Sequence, residues 1–256
     1  MRLQPDLALA NRLADAAGEV LRRHFRSGFA VEHKEDFSPV TVADREAEAA
    51  MRAILEADRP RDSIAGEEYG LFQGTSSRIW ALDPIDGTRA FLAGRATFGT
   101  LIALLEDGRP VIGIIDQPVA GERWVGQLGQ WPGTTLNGRP VKVRECPSLA
   151  SAHLATTSPA AFTAHGHAGF HRVARCVRDT LLGGDCHNYG LLAAGHLDLV
   201  IEETLKLHDW AALVPVVLGA GGVITDWQGE ALVAGAQGAV IAAGDRRVHE
   251  EAMSRL

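Results

Sequence analysis

Four short acidic elements have residue types and spacing that could do chemistry. In Trp80-Ala81-Leu82-Asp83-Pro84-Ile85-Asp86-Gly87-Thr88 an apolar run ends on a carboxylate, and a second carboxylate follows three residues on. Proline between them fixes φ and supplies no N–H, so a tight turn can aim Asp83 and Asp86 into one space. The N–H groups of Gly87 and Thr88, if they open a short helix, can face an anion. Carboxylates and carbonyls are the ligands that hard cations such as Mg²⁺ prefer. Read alone, the segment is equally a surface turn, since Asp-Pro and Asp-Gly are common turn pairs. Gly66-Glu67-Glu68 alone reads as two solvated acids. Asp209, in His208-Asp209-Trp210-Ala211-Ala212, alone reads as a helix cap or first-turn acid. Asp44, in Thr41-Val42-Ala43-Asp44, alone reads as a helix start.

The elements that must position these acids are legible around them. Leu7, Ala10, Leu13, Ala14, Ala17, Val20, Leu21 and Phe25 recur at helical spacing and predict a helix over 5–26. A loop is expected over 30–40. A second helix, about 41–57, carries Ala47, Ala50, Met51, Ile54 and Leu55 on one face, with Thr41 as its cap. Residues 58–77 read as loop apart from Ser63–Ala65. From 78 the pattern turns to strands: 78–82, 97–105, 111–116, 122–126 and 140–144, separated by turn residues, which suggests an antiparallel sheet. After about 150 strands and helices alternate: strands at 152–156, 180–182, 197–201, 222–226 and 239–242, and helices near 167–178, 186–195 and 209–219 and from Asp245. That alternation predicts an α/β half, 149–256, following an α+β half, 1–148, within one compact catalytic unit.

Composition narrows the classes. The 256 residues carry 25 Lys+Arg against 32 Asp+Glu, a net charge of −7, with 46% apolar residues. The apolar share excludes a largely disordered chain, and the acidic balance argues against nucleic-acid binding by bulk charge. No run approaches the roughly 20 apolar residues of a membrane span, and the start lacks a signal-peptide core. Cys146, Cys176 and Cys186 lack metal-type spacing and read as reduced thiols, hence a cytoplasmic protein.

Together the four acidic elements resemble the inositol monophosphatase family of Mg²⁺-dependent, lithium-sensitive phosphatases. Gly66-Glu67-Glu68, Asp83-Pro84-Ile85-Asp86-Gly87-Thr88, the Asp209-bearing element and the helix exit Ala220-Gly221-Gly222 match its motifs in order, over about 5–250. His208 stands where the family usually has Trp. Within the family the likeness is to the histidinol-phosphate phosphatase branch, through Asp86-Gly87-Thr88-Arg89-Ala90-Phe91, Ile115-Asp116-Gln117-Pro118, Gly121-Glu122-Arg123-Trp124 and Gly183-Gly184-Asp185-Cys186.

The resemblance implies a layered αβαβα sandwich of the inositol monophosphatase and fructose-1,6-bisphosphatase type. It implies that Glu67, Asp83, Asp86, Asp209 and the Ile85 carbonyl hold two or three Mg²⁺. It also implies that a metal-activated water near Glu67 and Thr88 attacks phosphorus, that Thr88 pairs with Asp44, and that phosphate rests on the N–H groups of Gly87 and Thr88. Glu202 matches a substrate-contacting glutamate of the family, and Asp185 follows two glycines that allow close approach. Two carboxylates at the non-phosphate end suit a cationic leaving group. Histidinol phosphate offers an amine and an imidazole, which favours it as substrate and histidine biosynthesis as context. Arg89 could face the substrate mouth or form a plain salt bridge, and Lys34 is a weak match to a loop lysine. His165, His167 and His171 read as a solvated face rather than a metal site, and Trp80, Trp124 and Trp131 as packing residues. The alternatives are inositol 1-phosphate or a broad set of esters and, from another class, a regulatory protein without turnover. The intact acid set speaks against the last. The family commonly forms homodimers.

Overall fold

The computed structural model describes residues 3–27, 31–33, 39–129 and 133–256; Lys34 and Trp131 lie outside the described residues. Helix α1 (Gln4–His24) buries Leu9, Leu13, Ala17 and Leu21 on one face. Strands β1 (Val31–His33) and β2 (Pro39–Thr41) pair antiparallel, where a plain loop was expected. Thr41 caps helix α2 (Val42–Asp58): its hydroxyl accepts the Ala43 N–H at 3.1 Å, and Asp44 Oδ2 accepts the Thr41 N–H and hydroxyl at 2.8 and 2.6 Å.

The first sheet has eight strands: β3 (Ser63–Gly66), β4 (Gly70–Phe72), β5 (Arg78–Asp86), β6 (Gly99–Glu106), β7 (Arg109–Gln117), β8 (Glu122–Gln127), β9 (Thr134–Leu136) and β10 (Arg139–Pro140). Their order is β10-β9-β8-β7-β6-β5-β3-β4. It is antiparallel as expected except at β3–β5, which run parallel: β4 turns back antiparallel on the outer side of β3, and the chain then reverses again into β5 on its inner side. Helix α3 (Thr88–Leu92) bridges β5 and β6. The second sheet holds β11 (His153–Thr156), β12 (Asp179–Leu182), β13 (Leu199–Glu202), β14 (Val223–Asp226) and β15 (Val240–Ala243), in the order β12-β11-β13-β15-β14. Helices α4 (Ala164–Ala174), α5 (His187–Ala193), α6 (Leu207–Trp210), α7 (Leu213–Gly219) and α8 (Arg246–Met253) connect or follow these strands.

Three buried clusters define five layers. Leu13, Leu21, Met51 and Leu55 of α1 and α2 pack on Trp80, Leu82, Ile102 and Leu104 of the first sheet. Ala81, Leu101, Ala103 and Leu105, the alternate residues of the same strands, face Tyr189, Trp210 and Leu213 of the central helices and Val200 and Ala242 of the second sheet. The far face of that sheet, Leu199, Ile201 and Ala243, is covered by Phe170 and Val173 of α4 and Val248 and Ala252 of α8. The chain is therefore the expected αβαβα sandwich. Trp80 and Trp124 are packing residues at 0% and 1% exposure. The three cysteines are free thiols. Among the described residues no helix is long and apolar enough to cross a membrane.

Further local expectations are corrected; Gly70–Phe72, expected as loop, form β4. Of the expected strand 140–144, only Pro140 is in a strand, at the end of β10, and 141–144 are not. Asn137-Gly138, both with positive φ, form a two-residue hairpin loop between β9 and β10. Val141 and Val143 then donate to Thr134 and Ala220 carbonyls. The expected helix 209–219 is two short helices, because Pro215 cannot donate back to Ala211 and is tolerated only in a first turn. Strand β5 runs past Asp83 to Asp86, with its register to β6 shifting between them. Pro84 supplies no N–H across that shift, and its carbonyl accepts the Thr100 hydroxyl at 2.9 Å.

Candidate active site

The acids from distant segments converge where the first sheet, the central helices and the second sheet meet. Ligand oxygens of Asp83, Asp86 and Asp209 lie within 4.8 Å of one another. Asp83 is 2% exposed at the end of β5. Asp86 sits beyond the register shift, and its Oδ2 accepts the Cys186 N–H at 2.5 Å. Asp209, on α6, accepts the Lys206 N–H at 2.6 Å, and His208 Nε2 lies 3.4 Å from its other oxygen. The helix-start reading of Asp209 is thus satisfied alongside its place in the cluster.

Glu67 follows β3 directly, and its N–H donates to the Leu82 carbonyl at 3.1 Å, so it is pinned beside Asp83. What shapes that turn escaped the sequence reading. Glu48, fully buried on α2, accepts the Glu68 and Tyr69 N–H groups at 2.7 and 3.2 Å and an Arg52 N–H at 2.8 Å. A side chain at Gly66 would strike the Glu48 carboxylate. The available signal was an acid on the face of α2 that carries Ala47, Met51 and Leu55, one turn after Asp44.

The acids crowd against their own charge. Burial first, then Glu67, Asp86 and Asp209, push the Asp83 carboxyl well above the usual range. Burial, then Asp185 and Asp209, do the same for Asp86. Burial also raises Asp209, against the opposing His208. Asp83 Oδ1 and Asp44 Oδ1 are buried with no hydrogen-bond partner. A buried carboxylate oxygen left unpaired among like charges is unfavourable without a cation. The hard-oxygen donor set and the orphaned Asp83 oxygen fit Mg²⁺.

Thr88 and Asp44 do not pair as expected. The Thr88 hydroxyl donates to the Ile85 carbonyl at 3.1 Å, and Asp44 spends Oδ2 on the Thr41 cap. The local turn and helix start outcompete the longer contact. Gly87 adopts φ +88°, and a Cβ there would lie 2.6 Å from Asp185 Cγ, so glycine both makes the turn and admits Asp185.

A cavity of about 590 Å³ extends from this cluster and is lined by Glu67, Asp86, Thr88, Asp185, Glu202 and Asp209 among others. Asp185 enters with φ +47° after Gly183 and Gly184, and burial raises its pKa to about 6. Glu202, 6% exposed at the end of β13, accepts the Thr157 N–H at 2.6 Å. Burial raises its pKa to about 7, against the Thr157 hydrogen bonds. Arg89 is exposed on the cavity wall and forms no ion pair among the described residues. The cavity wall also contains Cys186 and Tyr189, neither singled out by sequence for a role there. His165, His167 and His171 are exposed on α4, away from this wall; His167 and His171 contact each other through Nε2 atoms 3.1 Å apart. The arrangement can hold cations at one end and a polar or cationic group at the other.

Comparison with known proteins agrees with this architecture. The family model described as "Inositol monophosphatase family" matches residues 2–256. The chain is 46% identical to the chloroplastic bifunctional phosphatase IMPL2 of Arabidopsis thaliana, over 97% of its own length and 74% of that protein. It is 36% identical to the histidinol-phosphatase of Mycobacterium tuberculosis, over 98% and 97%. The solved structure of an inositol monophosphatase from Zymomonas mobilis superimposes with a TM-score of 0.91 at 54% identity, over 100% and 98%.

Proposed function

The chain belongs to the inositol monophosphatase family, and from that premise we propose that this phosphatase is Mg²⁺-dependent and hydrolyses L-histidinol phosphate to L-histidinol and phosphate. In this reading it serves histidine biosynthesis in the cytoplasm and works as a homodimer. The observation that carries the substrate is the pair of carboxylates, half-buried Asp185 and buried Glu202, lining the same cavity as the acid cluster. The histidinol-phosphatase relatives at 36% and 37% identity support it.

Glu67, Asp83, Asp86, Asp209 and the Ile85 carbonyl are the residues that would hold the ions. Bound Mg²⁺ supplies charge neutralisation at phosphate and lowers the pKa of water. The chain's own groups do the positioning. Gly87 and Thr88 present N–H groups to the phosphate, and Glu67 and Thr88 orient the attacking water. Asp44 holds the start of α2 through Thr41, and its charge and that of Glu67 act on each other. Water oxygen bonds to phosphorus as the ester oxygen leaves and takes a proton. Asp185 and Glu202 receive the ammonium and imidazole N–H groups of the leaving alcohol. Arg89 stands at the mouth.

The 54% identity to the Zymomonas enzyme favours a second reading, inositol monophosphate or a broader set of esters. Phosphate release decides between them. With Mg²⁺, kcat/KM for histidinol phosphate should exceed that for inositol 1-phosphate by about tenfold or more, the scale set by buried polar recognition. Equal or reversed preference overturns the substrate. Undiminished release after chelation overturns the metal dependence.

A further inference from the structure

The wall of the cavity holds a polar group that the reaction described above does not use. Tyr189, on α5, is 2% exposed and lies in the same buried cluster as Cys186, Trp124 and Trp210. Its hydroxyl is buried and has no hydrogen-bond partner. The groups that bear on it most are acceptors: the Glu202 carboxylate first, then Asp86. Burial and those charges push the phenol pKa well up, so it stays a donor at any working pH. Tyr189 and Glu202 line the same cavity, and α5 packs against β13; a buried donor left unpaired is unfavourable, and a small displacement that brings an acceptor within reach removes the penalty. A carboxylate has about four lone-pair sites; the Thr157 N–H takes one on Glu202 Oε1, and the Thr156 and Thr157 hydroxyls also act on that carboxylate.

Resting on the reading that Glu202 contacts the substrate, we propose that Tyr189 is a positioning residue: in the liganded enzyme its hydroxyl donates to the Glu202 carboxylate and fixes it toward the cationic half of the substrate. Two donors, Thr157 N–H from the second sheet and Tyr189 O–H from the central helices, then set the carboxylate from both sides. Selectivity for a cationic ester would depend on a phenol that never touches the phosphate.

The test is a double-mutant cycle read on two substrates with Mg²⁺ present. Tyr189→Phe should raise KM for histidinol phosphate about fivefold, the loss expected for one hydrogen bond to a charged group. It should leave kcat within about twofold and KM for inositol 1-phosphate unchanged. In a Glu202→Leu background, which keeps volume and removes the acceptor, Tyr189→Phe should add nothing. An unchanged KM, a parallel rise for both esters, or full additivity with Glu202→Leu each overturns the inference. If the unmodified enzyme shows no preference for histidinol phosphate, the substrate reading itself falls, before any variant is made.

Discussion

Asp83 and Asp86 come from one continuous segment at the end of β5, where its register shifts and Asp86 reaches the cavity, whereas Asp185 and Glu202 come from a left-handed loop residue and the end of a strand in the other sheet. At the first end the acids crowd one another, and one Asp83 oxygen is unpartnered. At the second end burial is the dominant influence on both carboxylates, Glu202 is stabilised by a backbone N–H, and Asp185 lies between the two ends, its charge acting on both Glu202 and Asp86. The difference teaches what each end awaits. Clustered acids need multivalent charge to offset mutual repulsion. A separated, dry carboxylate needs only one cation or donor, and its protonation state decides whether that partner binds.

The largest expected effect falls at the clustered end. Asp83→Asn should lower kcat/KM by about 10³-fold or more, the scale of losing one essential electrostatic group. Without metal the same variant should be more stable than the parent by about 1 kcal/mol, because one buried like charge is gone. Thermal unfolding with and without Mg²⁺ reads both: the parent should gain stability from the ion and the variant little. A variant destabilised without metal, or one that keeps the full Mg²⁺ shift, breaks the contrast.

At the separated end the effect should be smaller and selective. Glu202→Gln and Asp185→Asn should each lower kcat/KM for histidinol phosphate about tenfold while changing that for inositol 1-phosphate by less than about twofold. The measurement is steady-state phosphate release on both esters. Equal losses on both would mean that these carboxylates shape the whole cavity rather than recognise one class of leaving group.

The two ends also differed in how far they could be read from sequence. The Trp80–Thr88 run carries its strand, proline and turn glycine in nine consecutive residues, so its local geometry is written locally. The helices, the strands and the change of pattern near residue 150 followed from periodicity, whereas the five-layer architecture was implied by the family resemblance. Glu48 and Tyr189 were missed because their importance is tertiary. A glutamate on an amphipathic helix looks solvated until the Gly66–Glu68 turn is folded over it, and a tyrosine in an apolar run looks like core until its hydroxyl is found among acids. The Thr88–Asp44 pair failed for the opposite reason: local partners, Ile85 and Thr41, were nearer than the distant one.

The subtlest difference is in how stability follows pH. Glu202 has a folded pKa of about 7 against an ordinary value of 4.5. Between those values the folded chain holds a proton that the unfolded chain has released, so stability is full below about pH 4.5 and falls as pH rises through 7. The acids of the cluster are raised too and act in the same direction when no metal is present. Mg²⁺ should separate the two ends. It binds ionised acids, so it should cancel or invert the fall that comes from Asp83, Asp86 and Asp209, while the part from Glu202 persists. Urea unfolding between pH 5 and 8 in saturating Mg²⁺ should therefore show a slope that Glu202→Gln makes shallower by about 1 kcal/mol per pH unit. Histidine titration is common to both proteins and drops out of their difference. An identical slope in the two would mean that Glu202 is ionised throughout, in contact with water or a cation of the cluster, and that the two ends are one electrostatic site.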